Sequence, residues 1–322
     1  MSEPDLKELL KKQLFDVISA QIDAIGYVPA DLEKMIGSFP LGAGNTPEPA
    51  AMETPASDTI VGRLATNINE LYDAAFYDRS VTMGIVHGDT DFKNIGYWNE
   101  TTRTQDEASI RLQDALLNFI PEKSGRILDV ACGKGASTRR LLNHYPAEKV
   151  WAINISALQI ESTRLNAPGC HAAVMNAVEL TFDEEFFDNV MCIEAAFHFE
   201  TRERFFREAW RILKPGGRLV LSDVLFTSRM RLEQYPVLPS PGNHLESIAE
   251  YHALLAKTGF RNIIIKDETN AIWRAHFLHV TRRMHALFFD GQLDLVSLTI
   301  ILWRYYHIHA VTGPCYLISA QK

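Results

Sequence analysis

Ile127-Leu128-Asp129-Val130-Ala131-Cys132-Gly133-Lys134-Gly135 is a short apolar run that ends in small residues and glycine. It reads as a β-strand turning directly into a helix, because glycine tolerates positive φ and lets backbone come close to a ligand. A dinucleotide site of this shape wants G-x-G-x-x-G with a pyrophosphate on the helix N-terminus. Here Gly133-Lys134-Gly135 runs into Ala136, Ser137 and Thr138, so the third glycine is absent. Asp129 sits before the glycines, in the strand end. A carboxylate there repels a pyrophosphate but accepts a hydrogen bond from an ammonium group.

Outward from this stretch, short apolar runs alternate with amphipathic ones. Strand-like runs at Arg126–Val130, Lys149–Ile155, His171–Met175, Phe187–Ile193 and Arg218–Val224 are interleaved with helical patterns at Arg139–His144, Leu158–Asn166 and Arg202–Leu213. Such alternation implies βαβ units and a parallel sheet covered on both faces. The doubly wound form is the usual result, with ligands at the carboxyl ends of the strands. Further on, Ile248–Thr258 reads as a helix, Asn262–Lys266 as a strand, Ile272–Ala310 as a long helical and aromatic segment, and Pro314–Ala320 as a closing strand.

Upstream, Leu6, Leu9, Leu10, Leu14, Val17 and Ile18 recur at helical spacing within residues 4–25. Phe39–Ser57 is rich in Pro, Gly, Ala and Thr and reads as a linker. A second helix is expected over Ile60–Phe76, an irregular stretch over Asp78–Glu100 and a helix at Thr104–Phe119. The expected organisation is an N-terminal helical extension and linker at 1–58, suited to packing or to a homodimer contact, then one domain over 59–322. That domain has a core at 120–225 and additions at about 226–247 and 270–310.

The 322 residues are 47% hydrophobic and 22% charged, ordinary for a globular chain with a sizeable core. A net charge of −8 attracts neither nucleic acid nor an anionic membrane surface. Cys132, Cys170, Cys192 and Cys315 form no CxxC pair and read as reduced thiols. The charged N-terminus lacks the apolar core of a secretory signal, and no apolar run reaches the length of a membrane span. A cytoplasmic location with no membrane partner is the expectation.

Several segments, in order, give the stretch a more specific meaning. The opening run resembles motif I of class I S-adenosylmethionine (SAM)-dependent methyltransferases, D/E-x-G-x-G-x-G, with Ala131 in place of the first glycine. Asn154-Ile155-Ser156 with Gln159 resembles the family's ribose-holding segment. Met175-Asn176-Ala177-Val178-Glu179-Leu180 resembles its adenine-holding segment. Phe187-Asp188-Asn189-Val190 resembles the start of its fourth strand, and Leu213-Lys214-Pro215-Gly216-Gly217 the turn before its fifth. The resemblance implies a seven-stranded, mostly parallel sheet and SAM as cofactor. It places Asp129, Ala131, Gly133, Gly135, Asn154, Ile155, Gln159, Asn176, Ala177 and Glu194 around SAM. Asn154 and Asn176 stand where the family often has acids; an amide still accepts a hydrogen bond and also donates one.

Within that family, Cys192–Phe199 lacks the Asn/Asp-Pro-Pro-Tyr/Phe signature of DNA and protein N-methyltransferases. It resembles instead the small-molecule O-methyltransferases of natural-product pathways. In that group a His after the fourth strand acts as base and an Asp ending the fifth supports it, which implies His198 and Asp223 here. Histidine takes a proton near neutral pH, and a carboxylate beside it fixes the tautomer. Glu194 is the alternative base or a cap on the methionine end. Asn94-Ile95-Gly96-Tyr97-Trp98 resembles the family's x-x-GYW segment, which implies that Tyr97 and Trp98 close over the methionine end, with Tyr72 and Tyr77 as further lid residues. Phe226, Tyr235, Trp273, Phe277, Trp303, Tyr305 and Tyr306 are candidates for an apolar acceptor pocket. His276 and His279 share a helical spacing, but no acidic partner completes a metal site. The leading expectation is O-methylation of a hydroxylated small molecule. A C-methyltransferase of a prenyl chain or quinone is the alternative, and a dinucleotide oxidoreductase the less favoured one.

Overall fold

A computed structural model describes residues 68–70, 72–73, 76–77, 81–88, 90–226 and 241–322. The expected helix at 4–25, the linker at 39–57 and Tyr235 lie outside the described residues. The chain divides into two compact units, Ala56–Val280 with Gly313–Lys322, and Met1–Pro55 with Thr281–Thr312.

In the first unit, residues 68–70, 72–73 and 76–77 are helical. They are followed by α1 (Val81–His87) and α2 (Gln105–Leu117). The alternating region contains β1 (Ile127–Val130), α3 (Ala136–Leu141), β2 (Val150–Asn154), α4 (Ala157–Asn166), β3 (His171–Val174), β4 (Phe187–Ile193), α5 (Arg202–Ile212) and β5 (Leu213–Phe226). Then come α6 (Ile248–Thr258), β6 (Arg261–Asp267), α7 (Ala275–Phe289), α8 (Leu295–Val311) and β7 (Thr312–Gln321). Of the second unit, the described part is Thr281–Thr312, carrying the end of α7 and α8.

The strands form one seven-stranded sheet in the order β3-β2-β1-β4-β5-β7-β6. β1 pairs in parallel with β2 and β4, β2 with β3, and β4 with β5, while β6 and β7 are antiparallel. This is the doubly wound class I methyltransferase sheet that the sequence implies. The order runs one way from β1 through β2 to β3 and the other way from β4 to β5. The crevice of such a sheet therefore opens at the carboxyl ends of β1 and β4.

All four residues of β1 are buried, as are Val190, Met191 and Cys192 of β4. The core formed by these strands packs on Phe205, Phe206 and Ala209 of α5 and on Tyr251 and Leu255 of α6. Caps set the helix starts: Ser156, Thr201 and Ser247 each accept the backbone N–H three residues on.

Two details correct the sequence reading. Leu213–Gly217, expected as a turn before the fifth strand, is counted within β5: Phe187 pairs with Leu213 and Asn189 already with Arg218, and Gly216 at φ 82° carries the turn as an irregularity inside the strand. Helix α3 begins at Ala136 rather than Arg139, directly after Gly135, whose φ of 85° makes it a left-handed cap. A Cβ on Gly135 would lie 2.7 Å from Thr163 Cα, so this glycine serves the packing of α3 against α4.

Candidate active site

A cavity of about 170 Å3 opens at the carboxyl ends of β1, β2 and β4. Its walls include Asp129, Ala131, Cys132 and Gly133 after β1, Asn154, Ile155 and Gln159 after β2, and Met175, Asn176 and Ala177 after β3. Glu194, Ala195, His198 and Phe199 after β4 line it too, with Asn94 from the x-x-GYW segment and Tyr72 and Phe76 from the helical residues before α1. The structure thus brings together Asp129, Ala131, Gly133, Asn154, Ile155, Gln159, Asn176, Ala177, Glu194 and His198.

Two backbone positions here are strained. Ala131 has φ 58° and Glu194 has φ 48°, left-handed values that residues with a Cβ rarely adopt. Ala131 follows the end of β1 and Glu194 the end of β4, the two strands that meet at the switch point. Strain of this kind, on the order of 1–3 kcal/mol per residue, clusters where a chain must turn sharply beside a ligand.

Asp129 is 1% exposed, and its Oδ2 accepts hydrogen bonds from Ser137 Oγ and Thr138 Oγ1, both at 2.7 Å. Burial pushes its carboxyl up to about 6, against the two hydroxyl donors, which pull the other way. Glu194 Oε2 accepts the Ile95 N–H at 2.8 Å, while Glu194 Oε1 is buried with no hydrogen-bond partner. Burial is the main reason its carboxyl is pushed up to about 8. The Ile95 bond lowers it, and the charge of Asp223 raises it further. Asn94 Oδ1, in the same wall, is a second buried oxygen without a partner.

The amides after β2 and β3 are tied into the backbone. Asn154 Oδ1 accepts the Ser156 N–H at 3.0 Å, and its Nδ2 donates to Gln159 Oε1 at 3.0 Å. Gln159 Nε2 in turn donates to Asp73 Oδ1 at 2.8 Å, and Ser156 Oγ donates to the same oxygen at 2.6 Å. Asn176 Oδ1 accepts the Val178 N–H at 3.2 Å. Asp73 was not among the sequence candidates. It brings a carboxylate to the segment after β2, where Asn154 replaces the family's acid.

His198 sits on a short 3-10 turn, Ala196–His198, and its Nε2 is hydrogen-bonded to the Tyr72 hydroxyl. Its ring also packs on Phe197, with centroids 3.9 Å apart. Tyr77 OH is held by Leu158 O at 2.9 Å and Ser162 Oγ at 2.6 Å, so Tyr72 and Tyr77 anchor the helical residues before α1 at two places.

Three expectations are corrected. Asp223 does not support His198. It is 1% exposed and takes a bidentate ion pair from Arg202, Nε to Oδ2 at 2.6 Å and NH2 to Oδ1 at 3.1 Å, plus the Tyr251 hydroxyl at 2.8 Å. A buried carboxylate is held by the nearest buried cation, and that cation is Arg202. Tyr97 and Trp98 do not close over the cavity: Tyr97 OH donates to Glu268 Oε2 at 3.2 Å, and Trp98 packs on His279 with centroids 4.2 Å apart. The cause lies in Gly96, where a Cβ would meet Ala108 Cβ at 2.5 Å. The segment presses on α2 and turns its aromatics away, leaving Asn94 and the Ile95 N–H to face the site. Phe226, Trp273 and Phe277 are buried but do not line the cavity. Tyr305 and Tyr306 are buried residues of the second unit, and Trp303 is partly buried there.

Among the described residues no group of His, Cys, Asp and Glu is placed to hold a metal ion, and no helix is long and apolar enough to cross a membrane. The four cysteines are free thiols.

A doubly wound sheet in this strand order, with an acidic strand end and a glycine turn opening on one crevice, is the class I methyltransferase architecture. Residues 128–221 match the family described as a methyltransferase domain. The chain carries a methyltransferase domain of this class, whose cofactor is SAM. It is 35% identical over 185 residues to the 27-O-demethylrifamycin SV methyltransferase of Amycolatopsis mediterranei, an overlap of 55% of this chain and 62% of that protein's length. It is 28% identical over 255 residues to 24-methylenesterol C-methyltransferase 3 of Arabidopsis thaliana, covering 67% of this chain and 70% of that one. Among solved structures, the [4+2]-cyclase SpnF superposes with a TM-score of 0.61 at 19% identity, covering 79% of this chain and 95% of that one, a likeness of fold.

Proposed function

We propose that the protein is an O-methyltransferase acting on a hydroxyl of a small, partly apolar molecule of the natural-product kind, with His198 as general base. The observation that carries this reading is that His198 lines the same cavity as Asp129, Ala131 and Gly133. SAM, when bound, supplies an electrophilic methyl group on a sulfonium. The residues present suit it: Asp129 offers a buried carboxylate for an ammonium, Asn94 Oδ1 and Glu194 Oε1 are unpartnered acceptors, and Asn154, Ile155, Gln159, Asn176 and Ala177 form the wall for a nucleoside. Gly133 lets the backbone approach; Gly135 supports it from behind.

His198 takes the proton of the acceptor hydroxyl on Nε2, where that hydroxyl replaces the Tyr72 hydroxyl, as the oxygen attacks. The chain's share of the rate is alignment of the two reactants and exclusion of water. Tyr72, Phe76, Phe92 and Phe199 give the cavity apolar walls, which suits a hydrophobic acceptor. The likeness to the rifamycin enzyme supports a hydroxyl acceptor.

A second reading is methylation at carbon. Glu194 has one unpartnered carboxyl oxygen, and its ionised form, which prevails above about 8, faces developing positive charge or takes a proton after transfer. The likeness to a sterol C-methyltransferase is its other support.

The test is transfer of a labelled methyl group from SAM to a panel of hydroxylated polyketides, glycosides and peptides beside a panel of prenyl and sterol alkenes, with the product bond assigned by NMR. A methyl on oxygen is the expected result. A methyl on carbon with no O-methyl product supports the second reading and overturns the first. The domain limits of 1–58 and 59–322, a cytoplasmic location and a homodimer contact are part of the same proposal.

A further inference from the structure

The turn that carries His198 is short, and short 3-10 pieces have poor internal hydrogen bonding. Its own bonds are His198 N–H to Ala195 O at 2.9 Å and Phe199 N–H to Ala196 O at 3.3 Å. The carbonyls of Ala196, Phe197 and Phe199 converge on one point. That point is occupied by Asn243 Nδ2, which donates to them at 3.0, 3.0 and 2.9 Å. Three carbonyl dipoles facing one another repel unless a donor sits between them, so the amide closes the turn.

Asn243 is itself fixed. It is 2% exposed, its Oδ1 accepts the Arg202 N–H at 2.6 Å, and its own carbonyl accepts from Arg202 NH1 at 2.5 Å. One amide N–H on its oxygen and three carbonyls on its nitrogen allow only one orientation of the side chain. Arg202 is anchored by Asp223 and by Val224 O at 2.9 Å, so the clamp rests on the buried ion pair at the end of β5. Asn243 lies outside the cavity wall and outside the residues that match the family.

We propose that Asn243 is the positioning residue for His198: its amide clamps the Ala196–Phe199 turn and so sets where the imidazole faces the cavity. The proposal rests on the reading of His198 as base. A displacement of about 1 Å at a reacting group costs rate on the order of 100-fold, so a clamp of this kind is expected to show in kcat.

The experiment compares Asn243→Asp, Asn243→Ala and Asn243→Ser with the unaltered full chain. Asn243→Asp keeps the shape and the acceptor for Arg202 N–H but replaces the donor by an oxygen that faces three carbonyls; Asn243→Ser keeps one donor. Histidines are labelled with carbon-13, the His198 signal is assigned with His198→Gln, and its titration is followed by NMR in the presence of S-adenosylhomocysteine. The proposal expects the His198 titration to move in Asn243→Asp and Asn243→Ala and less in Asn243→Ser. It expects S-adenosylhomocysteine affinity to stay within about threefold, and kcat with the acceptor found by the panel to fall on the order of 10–100-fold, more than KM changes. Variants that fold, even at a lower Tm, with an unmoved His198 titration and unchanged kcat give Asn243 a purely structural role and overturn the proposal. If His198→Gln keeps normal turnover, the base reading fails on its own; a moved His198 signal in the Asn243 variants still establishes the clamp.

Discussion

The Tyr72 hydroxyl is hydrogen-bonded to Nε2 of His198, a residue 126 positions away in the chain. The two rings also meet edge to face, with centroids 4.9 Å apart. Burial, and then the charge of Glu194, raises the Tyr72 phenol well above its ordinary value, so it stays protonated and is the donor. A donor on Nε2 favours the neutral imidazole. Tyr72→Phe keeps the ring contact and removes the donor, which makes His198 easier to protonate. The acid limb of the pH profile of kcat/KM is therefore expected to move to higher pH. An unmoved limb would show that the contact does not govern the proton on His198.

The second prediction concerns Glu194. Burial raises its folded value from 4.5 to about 8, so between those values the folded state holds a proton that the unfolded state has lost. The folded chain then binds more protons than the unfolded one, and stability falls as pH rises through this window. Glu194→Gln removes the titration. The Tm of the variant, measured without ligand, is expected to gain on that of the unaltered protein from pH 6 to pH 9. A gap that stays constant or closes would contradict it.

Asp223 and Arg202 supply the third. With both side chains at or below 2% exposure, removing one partner leaves a buried charge alone. Asp223→Ala is expected to cost about 3–5 kcal/mol of folding stability, read from urea unfolding. A loss under about 1 kcal/mol would mean that Arg202 finds water or another acceptor.

The cavity wall was legible in the sequence because its residues follow strand ends at fixed offsets. Motif I put Asp129, Ala131 and Gly133 in the cavity, and the segments after β2, β3 and β4 did the same for Asn154, Asn176, Glu194 and His198. The rest depended on contacts between residues far apart in the chain. Asp223 lies within β5, three residues before its end, and its choice of partner was decided by Arg202 at the start of α5, which no motif marks. Trp98 was placed one side too far because the effect of Gly96 is visible only against Ala108. Tyr72 was foreseen as a lid residue but not as a partner of His198. Asp73 and Asn243 were missed because a single polar residue in an amphipathic or irregular stretch carries no spacing signal of its own.

The most direct measurement is turnover of His198→Gln with a hydroxylated acceptor, made alongside its affinity for SAM. If His198 removes the acceptor proton, kcat falls on the order of 100- to 10,000-fold while SAM binding stays within about threefold. Near-normal kcat with normal SAM binding would contradict the account and move the chemistry to Glu194.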